Sequence, residues 1–475
     1  MLSRVSVFIL LLIILSCSQE IKPPSPFGPT PTESQLAWHE MELNAFVHFT
    51  TNTFTDKEWG YGDESPEIFN PTAFNADQWI TTFKDAGFKG VILTCKHHDG
   101  FCLWPSQYTE HSVKNSPFKK DVVKEVSEAC TRHGLKFGIY VSPWDRNHKD
   151  YGSPVYVEYY RNQLTELFTN YGPVFEMWFD GANGGDGFYG GANEKRAING
   201  ETYYDWPTTL DMVRTLEPNV IFFSDAGPGV RWVGNEKGIA GETNWNTITP
   251  DTLYAGKAGI EQLLNTGSEH GTHWIPAEVD VSIRPGWFYH SREDSLVKTP
   301  EQLFDIYLTS VGRGSTLLLN VPPDRRGVLH ENDVKALREW RSMIDREFKI
   351  NLAAGAEVNA SSERGSDFSA ANTTDGNKET YWTTADDITT GSLEIYFNEP
   401  KVVKYVLLRE YIRLGQRVKA FEVEVWKENG WQKIMEGTTI GYKRILRVDP
   451  VLTDKVRLNI TASRACPLIS GIEIF

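Results

Sequence analysis

The chain has 475 residues, of which 40% are hydrophobic and 12% aromatic, and its formal charge is −15. That length predicts two or three domains. The acidic balance argues against nucleic acid or an anionic membrane surface as the main partner, because both need a basic protein face. The 15 Trp and 19 Tyr suit large cores and carbohydrate-facing surfaces.

The first residues predict an export signal. Arg4 precedes an apolar run over 5–15, which is short for a transmembrane helix. The run ends in Ile-Leu-Ser-Cys at 14–17 and resembles a bacterial lipobox, in which Cys17 becomes the lipidated first residue of the mature protein. An ordinary signal peptide with an incidental cysteine is the alternative. We expect a protein of the bacterial periplasm or outer membrane that meets the membrane only through a lipid on Cys17.

A polar linker and four scattered cysteines are the next features of the sequence. Residues 18–35 are rich in Pro and Ser and predict an extended tether. The other cysteines form no CxxC pair and match no zinc framework; they are Cys95, Cys102, Cys130 and Cys466. Export would permit a disulfide between Cys95 and Cys102, but buried free thiols are the simpler expectation.

Residues 36–345 alternate short apolar runs with amphipathic helical patterns. The predicted strands are 45–49, 90–94, 137–141, 174–179, 220–223, 278–281 and 315–320, and the predicted helices are 76–86, 122–133, 157–170, 208–216, 300–310 and 331–345. Strands that alternate with helices predict a parallel sheet. About eight repeats over this length favour a (β/α)8 barrel over an open sheet.

The composition changes after the last helix, and residues 346–475 predict a second domain. Short alternating runs occur at 392–397, 402–408, 421–427, 444–448, 456–460 and 469–475, separated by turn residues. This pattern is typical of an all-β sandwich of the jelly-roll kind.

Polar and aromatic residues stand where the predicted barrel strands end. They are His48 after the first strand, His97 and His98 after the second, Tyr140 and Trp144 at the third, Trp178 and Asp180 at the fourth, Asn320 at the eighth, and Glu58 and Trp59 in the loop after the first. Because a (β/α)8 barrel carries its active site at these ends, the residues should ring one pocket.

Each of these residues also has a simpler interpretation. Asp180 could cap a helix, since Asp favours that position, and tryptophans are more often core than ligand-facing. Adjacent His97 and His98 point to opposite faces of an extended segment, so a zinc site is a weaker prediction than sugar binding, and we expect no metal. Ser/His/Asp catalysis lacks a GxSxG motif.

The chemistry that such a pocket suits is glycoside hydrolysis. That reaction needs one ionised carboxylate at the anomeric carbon and a second, protonated carboxyl at the leaving oxygen. Imidazoles and Glu58 can bind ring hydroxyls, while tryptophans pack against the apolar face of the sugar. No cofactor is required.

The motifs resemble those of the glycoside hydrolase family 29 α-L-fucosidases. His48, Asn-Thr-Phe-Thr-Asp-Lys-Glu-Trp at 52–59, Lys-His-His-Asp-Gly-Phe at 96–101 and Trp-Phe-Asp-Gly-Ala at 178–182 occur in the family's order. The segments 142–147, 231–236 and 281–288 are similar to the branch that acts on α-1,3- and α-1,4-linked fucose, and 318–323 resembles the last-strand motif.

The resemblance implies roles for individual residues. Asp180 matches the nucleophile of a retaining mechanism. The fucose-binding set comprises His48, Glu58, Trp59, His97, His98, Tyr140 and Trp178, with Trp144 and Trp287 in the branch motifs. Glu236 matches the acid/base, and Glu278 and Glu242 are its competitors, because this position varies within the family.

The resemblance also implies partners and alternatives. Residues 371–377, 381–382, 393–397 and 469–475 resemble discoidin-like (coagulation factor 5/8 type C) domains, including the family 32 carbohydrate-binding modules. Such domains often carry calcium, here near Asp375, and the domain could bind sugar or serve a structural role. The expected substrates are fucosylated glycans of the Lewis type. A broad-specificity fucosidase, a non-catalytic glycan-binding lipoprotein and a metal-dependent hydrolase using His97 and His98 are the alternatives.

Overall fold

Eight parallel strands close into a barrel in the computed structural model, which describes residues 21–475. The strands are β1 Leu43–Val47, β2 Gly90–Lys96, β3 Lys136–Val141, β4 Glu176–Trp178, β5 Ile221–Ser224, β6 Val230–Trp232, β7 Ala277–Ser282 and β8 Thr316–Asn320. Each strand pairs with its sequence neighbours, and β1 closes the ring on β8 with Ala45 opposite Leu319. The predicted barrel is confirmed.

The sequence pattern missed one strand of the barrel. β6 has only three residues, two of them Arg231 and Trp232, so it shows no apolar run. The burial of Arg231 is possible because its guanidinium donates to the backbone oxygens of Leu264, Ile275 and Trp245. A buried arginine satisfied by carbonyls has no signature in strand propensity.

Nine α-helices accompany the strands in the part of the chain that the structure describes. They are α1 Glu33–His39, α2 Thr51–Thr55, α3 Ala76–Asp85, α4 Val122–His133, α5 Pro154–Asn170, α6 Trp206–Leu216, α7 Glu261–Thr266, α8 Pro300–Thr309 and α9 Glu331–Glu347. Side chains of Asn75, Asp121 and Thr299 cap α3, α4 and α8, as the N-cap preference predicts. The six predicted helices are present with ends shifted by at most three residues. No helix in the described range is long and apolar enough to cross a bilayer.

Helix α1 covers the N-terminal end of the barrel. Its Trp38 packs into the barrel interior with Phe46, Ile92, Tyr140 and Trp178. The Trp38 indole N–H donates to Glu176 Oε2 at the first residue of β4 (3.1 Å). Helix α1 therefore lies across the end of the barrel at which the strands begin, and the residues that follow the strands lie at the opposite end.

The predicted signal segment and Cys17 lie outside the described residues, but most of the predicted tether lies within them. Over 21–32 the chain is extended against the C-terminal domain: Lys22 O and Ser25 O accept from Arg364 and Arg417, and Phe27 N donates to Leu414 O. Residues 33–35 already belong to α1. The interpretation as a free tether is therefore wrong for 21–35, because Pro-rich extended backbone can still exchange hydrogen bonds with a neighbouring domain.

The C-terminal domain is antiparallel and β-rich, as predicted. Its strands are β9 Glu357–Ala360, β10 Trp382–Thr383, β11 Gly391–Glu410, β12 Val418–Lys427, β13 Gly430–Gly437, β14 Arg444–Ser463 and β15 Leu468–Ile474. The runs predicted as two pairs of strands are two continuous 20-residue strands, β11 and β14, that pair with each other. Register shifts within that pairing interrupt the alternation, which is why each strand looked like two.

The two domains share buried contacts. Tyr405, Leu407, Ile445 and Phe475 belong to the same hydrophobic cluster as the helices of the barrel. Gln416, 1% exposed, accepts from Asn246 N (2.8 Å) and donates to Asn244 O (3.0 Å). The second domain therefore packs against the barrel through a buried interface.

Candidate active site

Asp180 lies at the open end of the barrel, two residues beyond β4. Its Oδ1 accepts from Ala182 N (2.7 Å) and its Oδ2 from the Tyr140 hydroxyl (3.0 Å). The side chain is 22% exposed. The donors orient the carboxylate while one side stays accessible, so Asp180 can act on a molecule in the pocket.

Two imidazoles present bare nitrogen atoms to this pocket. Asn320 donates through its amide to Ser282 Oγ and Trp287 O, so its Oδ1 accepts the Nδ1–H of His48 (2.8 Å). Ser142 donates to Trp144 O and accepts the Nδ1–H of His98 (2.7 Å). In each neutral ring Nε2 is then an acceptor.

Burial keeps these rings neutral. It lowers the pKa of His48 to about 3 and also lowers the pKa of His98, although the charge of Asp180 opposes the latter shift. The His98 Nε2 atom lies 3.8 Å from Asp180 Oδ2, too far for a hydrogen bond. Two acceptors facing one space suit a ligand that brings hydroxyl hydrogens.

His97 lies between the other two imidazoles. Its ring centroid is 5.6 Å from that of His48 and 4.1 Å from that of His98, and it stacks on Tyr140 at 5.8 Å. Burial lowers its pKa well below the usual range, and its Nδ1 has no hydrogen-bond partner in the protein. Its ring thus joins the imidazoles of His48 and His98 in one aromatic group beside Tyr140.

Four tryptophans line the pocket at different depths. Trp178 is 7% exposed and stacks on Phe223 (4.0 Å) at the bottom. Trp144 is buried beside His98 (5.1 Å), and Trp59 lies edge-on to Trp144 (5.6 Å) and is 54% exposed. Trp287 faces His48 at 5.3 Å. The predicted aromatic residues therefore converge on one pocket.

Glu58 is held by the segment after β7. Its carboxylate accepts from Trp287 N (2.8 Å), Phe288 N (3.2 Å) and His290 Nε2 (2.6 Å). On its other side His290 bonds to Asp56 Oδ1 (2.6 Å). The sequence analysis did not single out His290, although it follows the 281–288 motif by two residues.

Among the three glutamates considered as acid/base, Glu236 is the one that lies beside Trp287 of the pocket. Its Oε2 accepts from the Trp287 indole (3.3 Å). Desolvation raises the pKa of Glu236, the Trp287 hydrogen bond opposes the shift, and the negative charges of Asp180 and Glu58 add to it. A raised pKa favours the protonated form that a general acid must have.

The two competing glutamates lie elsewhere. Glu278 is fully buried near the start of β7 and accepts from the Trp178 indole (3.0 Å). Glu242 is 76% exposed, bonds to Arg313 (3.1 Å) and gives its backbone oxygen to Arg444 of the C-terminal domain. Neither geometry offers a proton to a ligand above Asp180, so both are poor candidates for that role.

Two other carboxyl groups near the pocket were not singled out from the sequence. Asp225 follows β5 and accepts from Gly256 N (2.7 Å); burial, with a contribution from Asp180, raises its pKa to about 6. Asp280 points inward on β7 and accepts from the Trp232 indole (2.8 Å). Asp225 carries the same signal as Asp180, a carboxylate directly after an apolar strand. Asp280 could be found only from the alternation along β7.

The structure of residues 21–475 also bears on the predictions about metals, thiols and calcium. Within that range no three His, Cys, Asp or Glu side chains converge as a metal site. Cys95, Cys102, Cys130 and Cys466 are free and buried. Near the predicted calcium, Asp375 accepts from Asn377 N and the Thr380 hydroxyl of its own turn, and the calcium stays a prediction.

Comparison with known proteins identifies the family. The sequence model of the α-L-fucosidase family matches residues 27–344, more than half of the chain. The chain belongs to the α-L-fucosidase family. This fucosidase is a glycoside hydrolase, and its residues 357–472 match the F5/8 type C domain.

Relatives of this fucosidase cover nearly all of it. α-L-Fucosidase 1 of Arabidopsis thaliana is 41% identical over 490 residues, covering 100% of this chain and 94% of the plant protein. The crystal structure of a glycoside hydrolase family 29 member from an unknown rumen bacterium is 44% identical with a TM-score of 0.85, covering 95% of this chain and 78% of that one. A Ruminococcus gnavus family 29 fucosidase in complex with fucose is 34% identical with a TM-score of 0.86 and covers 96% of both chains.

Proposed function

We propose that this fucosidase removes terminal α-L-fucose with retention of configuration, with Asp180 as nucleophile and Glu236 as acid/base. The observation that carries the proposal is the difference between the two groups. Asp180 is an oriented, accessible carboxylate, whereas the surroundings of Glu236 raise its pKa. One ionised and one protonated carboxyl at a sugar pocket is the pairing that glycoside hydrolysis uses.

The first step forms a covalent intermediate. Asp180 Oδ attacks the anomeric carbon as the bond to the glycosidic oxygen breaks, and Glu236 gives its proton to that oxygen. In the second step Glu236 takes a proton from water, the water oxygen attacks the anomeric carbon, and the bond to Asp180 breaks. Two inversions at one carbon leave the α configuration.

The fucose itself would be held by the neutral imidazoles. Nε2 of His48 and Nε2 of His98 accept sugar hydroxyl protons, because hydrogen bonds to Asn320 and Ser142 fix the proton of each ring on Nδ1. Glu58 has one oxygen, Oε2, with a single donor, Trp287 N, so it can accept one further hydroxyl. Trp178 packs beneath the apolar side of the ring.

We further propose that the preferred linkages are α-1,3 and α-1,4, as in Lewis-type glycans. Three segments that resemble the corresponding branch of the family, 142–147, 231–236 and 281–288, meet at the pocket. Trp144 of the first contacts Trp59 and His98, and Glu236 of the second bonds to Trp287 of the third. Residues at the rim of the pocket contact the departing sugar and therefore influence which linkage is preferred.

A substrate panel tests the proposal. The protein is incubated with 4-nitrophenyl fucoside, Lewis a and Lewis x trisaccharides and 2′-fucosyllactose, and proton NMR records both the rate and the anomer first released. We expect α-fucose, released fastest from the Lewis sugars. Preference for 2′-fucosyllactose would contradict the proposed linkages and indicate a broad or different specificity. Release of β-fucose would exclude the retaining mechanism. No release from any substrate would favour a glycan-binding protein.

We also propose that the protein is exported and anchored through a lipid on Cys17. The lipobox-like 14–17 segment supports this. In a bacterial host, a radiolabelled fatty acid should be incorporated into the wild type and not into C17A, while both are exported. Export without any label would instead indicate an ordinary signal peptide.

A further inference from the structure

Two glutamates lie opposite each other inside the barrel, below the pocket. Glu176 on β4 and Glu278 on β7 are both completely buried. Glu176 Oε2 accepts from the Trp38 indole (3.1 Å), and Glu278 Oε1 accepts from the Trp178 indole (3.0 Å). The remaining oxygen of each carboxyl has no other partner in the described structure.

The two carboxyls lie close enough for each to affect the pKa of the other. Two ionised carboxylates side by side without water would be strongly unfavourable, so the pair must retain at least one proton between the two groups. Burial raises the pKa of Glu176 to about 8 and that of Glu278 well above its usual range, and the neighbouring charge of Glu176 adds to the shift of Glu278. The unit is therefore a carboxyl pair with an indole N–H at each end.

One of those indoles belongs to the sugar pocket. Trp178 lies in van der Waals stacking with Phe223 (4.0 Å, 6° between planes) and close to parallel with Tyr140 (5.3 Å, 28°). Tyr140 in turn donates to Asp180 Oδ2 (3.0 Å). Stacking restricts the tilt of the Trp178 ring but not its sliding in the ring plane, which the bond to Glu278 prevents.

We infer that Glu278 is a positioning residue for the fucosidase reaction: by holding the Trp178 indole it sets the floor of the sugar site and, through Tyr140, the direction of the Asp180 carboxylate. The inference rests on the proposed roles of Trp178 and Asp180. Glu278 takes no part in breaking or forming bonds, but it acquires a function in the same site.

The other end of the pair provides a matched control. The Trp38 indole makes the same kind of bond to Glu176, at nearly the same length and equal burial. Trp38, however, belongs to α1 at the N-terminal end of the barrel, and its indole hydrogen bond goes to Glu176 rather than to the glutamate that holds Trp178. A general loss of core stability should follow from W38F as well as from E278L, whereas a loss of catalysis should follow only from E278L.

A double-mutant cycle tests the inference on the full-length protein. kcat, KM and thermal midpoint are measured with 4-nitrophenyl fucoside for wild type, E278L, W178F and E278L/W178F. We expect E278L to lower kcat/KM by about tenfold, because the buried Trp178 indole N–H loses its acceptor, with most of the loss in kcat. In the W178F background the same change should cost less than about twofold, the usual scatter of additivity.

Further variants separate positioning from folding. E278Q keeps an acceptor for Trp178 and supplies a donor to Glu176, so it should restore kcat/KM to within about threefold of wild type, since it makes the same number of hydrogen bonds. W38F should lower the thermal midpoint and leave kcat/KM within about twofold. Should E278L fail to fold, E278M, which is similar in volume, replaces it in the cycle.

Two results would overturn the inference. One is that E278L lowers kcat/KM by the same factor in the wild type and in the W178F background. The other is that W38F lowers kcat/KM as much as E278L does. Failure of the proposed mechanism is recognised separately, because it would show as a D180G variant that retains wild-type turnover or as β-fucose in the NMR assay, neither of which involves Glu278.

Discussion

Asp180 owes its predicted reactivity to the two hydrogen bonds that orient it and to the small residues that follow. Replacing it with Gly removes the attacking atom, so turnover should fall on the order of 10⁴-fold, as for other residues that act on the reacting atom. Azide can enter the vacated space and attack the anomeric carbon directly. Added azide should therefore restore part of the rate and give the β-azide, identified by NMR; a D180G rate near wild type would exclude Asp180 as nucleophile.

Glu236 has a raised pKa, and that direction sets the pH dependence. The acid must be protonated to donate, so kcat/KM should fall as pH rises through the Glu236 pKa, and the raised value extends activity to higher pH. E236Q cannot donate; we expect a loss of about 10²–10⁴-fold on Lewis trisaccharides, a smaller loss on 4-nitrophenyl fucoside and no alkaline limb.

E242Q is the control for that series. Glu242 is exposed and paired with Arg313, so its replacement should leave both the rate and the pH profile unchanged. If E242Q, rather than E236Q, lost much more rate on Lewis trisaccharides than on 4-nitrophenyl fucoside, the acid would have to be reassigned.

At the scale of single elements, β7 organises the pocket from inside the barrel. Three inward residues of this strand each hold another side chain: Glu278 the Trp178 indole, Asp280 the Trp232 indole and Ser282 the Asn320 amide that orients His48. Alternation places residues 278, 280 and 282 on one face. The strand was predicted from its apolar residues, whereas the polar residues between them are the ones that bind the side chains of the pocket.

The segment after β7 also clamps the loop after β1. His290 bridges Asp56 and Glu58 at 2.6 Å each. H290L removes a charge-assisted donor from Glu58, so KM for 4-nitrophenyl fucoside should rise by about tenfold, the value of one such bond, with a smaller change in kcat. Steady-state kinetics check this against H270L, a change at a histidine that is 85% exposed; an unchanged KM in H290L would show that Glu58 needs no such support.

For the whole molecule, the contact between the domains is a stability element. Q416L leaves Asn246 N–H and Asn244 C=O buried without partners, which should lower the free energy of unfolding by about 2–5 kcal/mol. Denaturant unfolding measures this, and kcat should change little because Gln416 contacts no pocket residue. Q432L, on an exposed strand position, is the matched control and should stay within about 0.5 kcal/mol of wild type. Equal effects of the two variants would mean that the contact is dispensable.

Much of the architecture could be predicted from the sequence because it depends on local periodicity. Seven of the eight barrel strands and the six longer helices follow from apolar spacing and capping residues. The short β6 with its buried Arg231, the three short helices and the continuity of β11 and β14 could not, because carbonyl partners and register shifts arise only when distant segments meet. Cys17 lies outside the described residues, and its lipidation stays a prediction.

The sequence by itself determined which residues end the strands, since period and order along the chain are local properties, and a barrel brings all strand ends together. Only the tertiary structure decided which carboxyl groups come near Asp180. Residue type alone could not rank the three candidate glutamates. In the structure Glu236 bonds to Trp287, Glu242 lies at the boundary between the domains and Glu278 is buried beneath Trp178. The protonation of the imidazoles was decided there too, because a pKa depends on burial and neighbouring charge, and both are set by segments far apart in the chain.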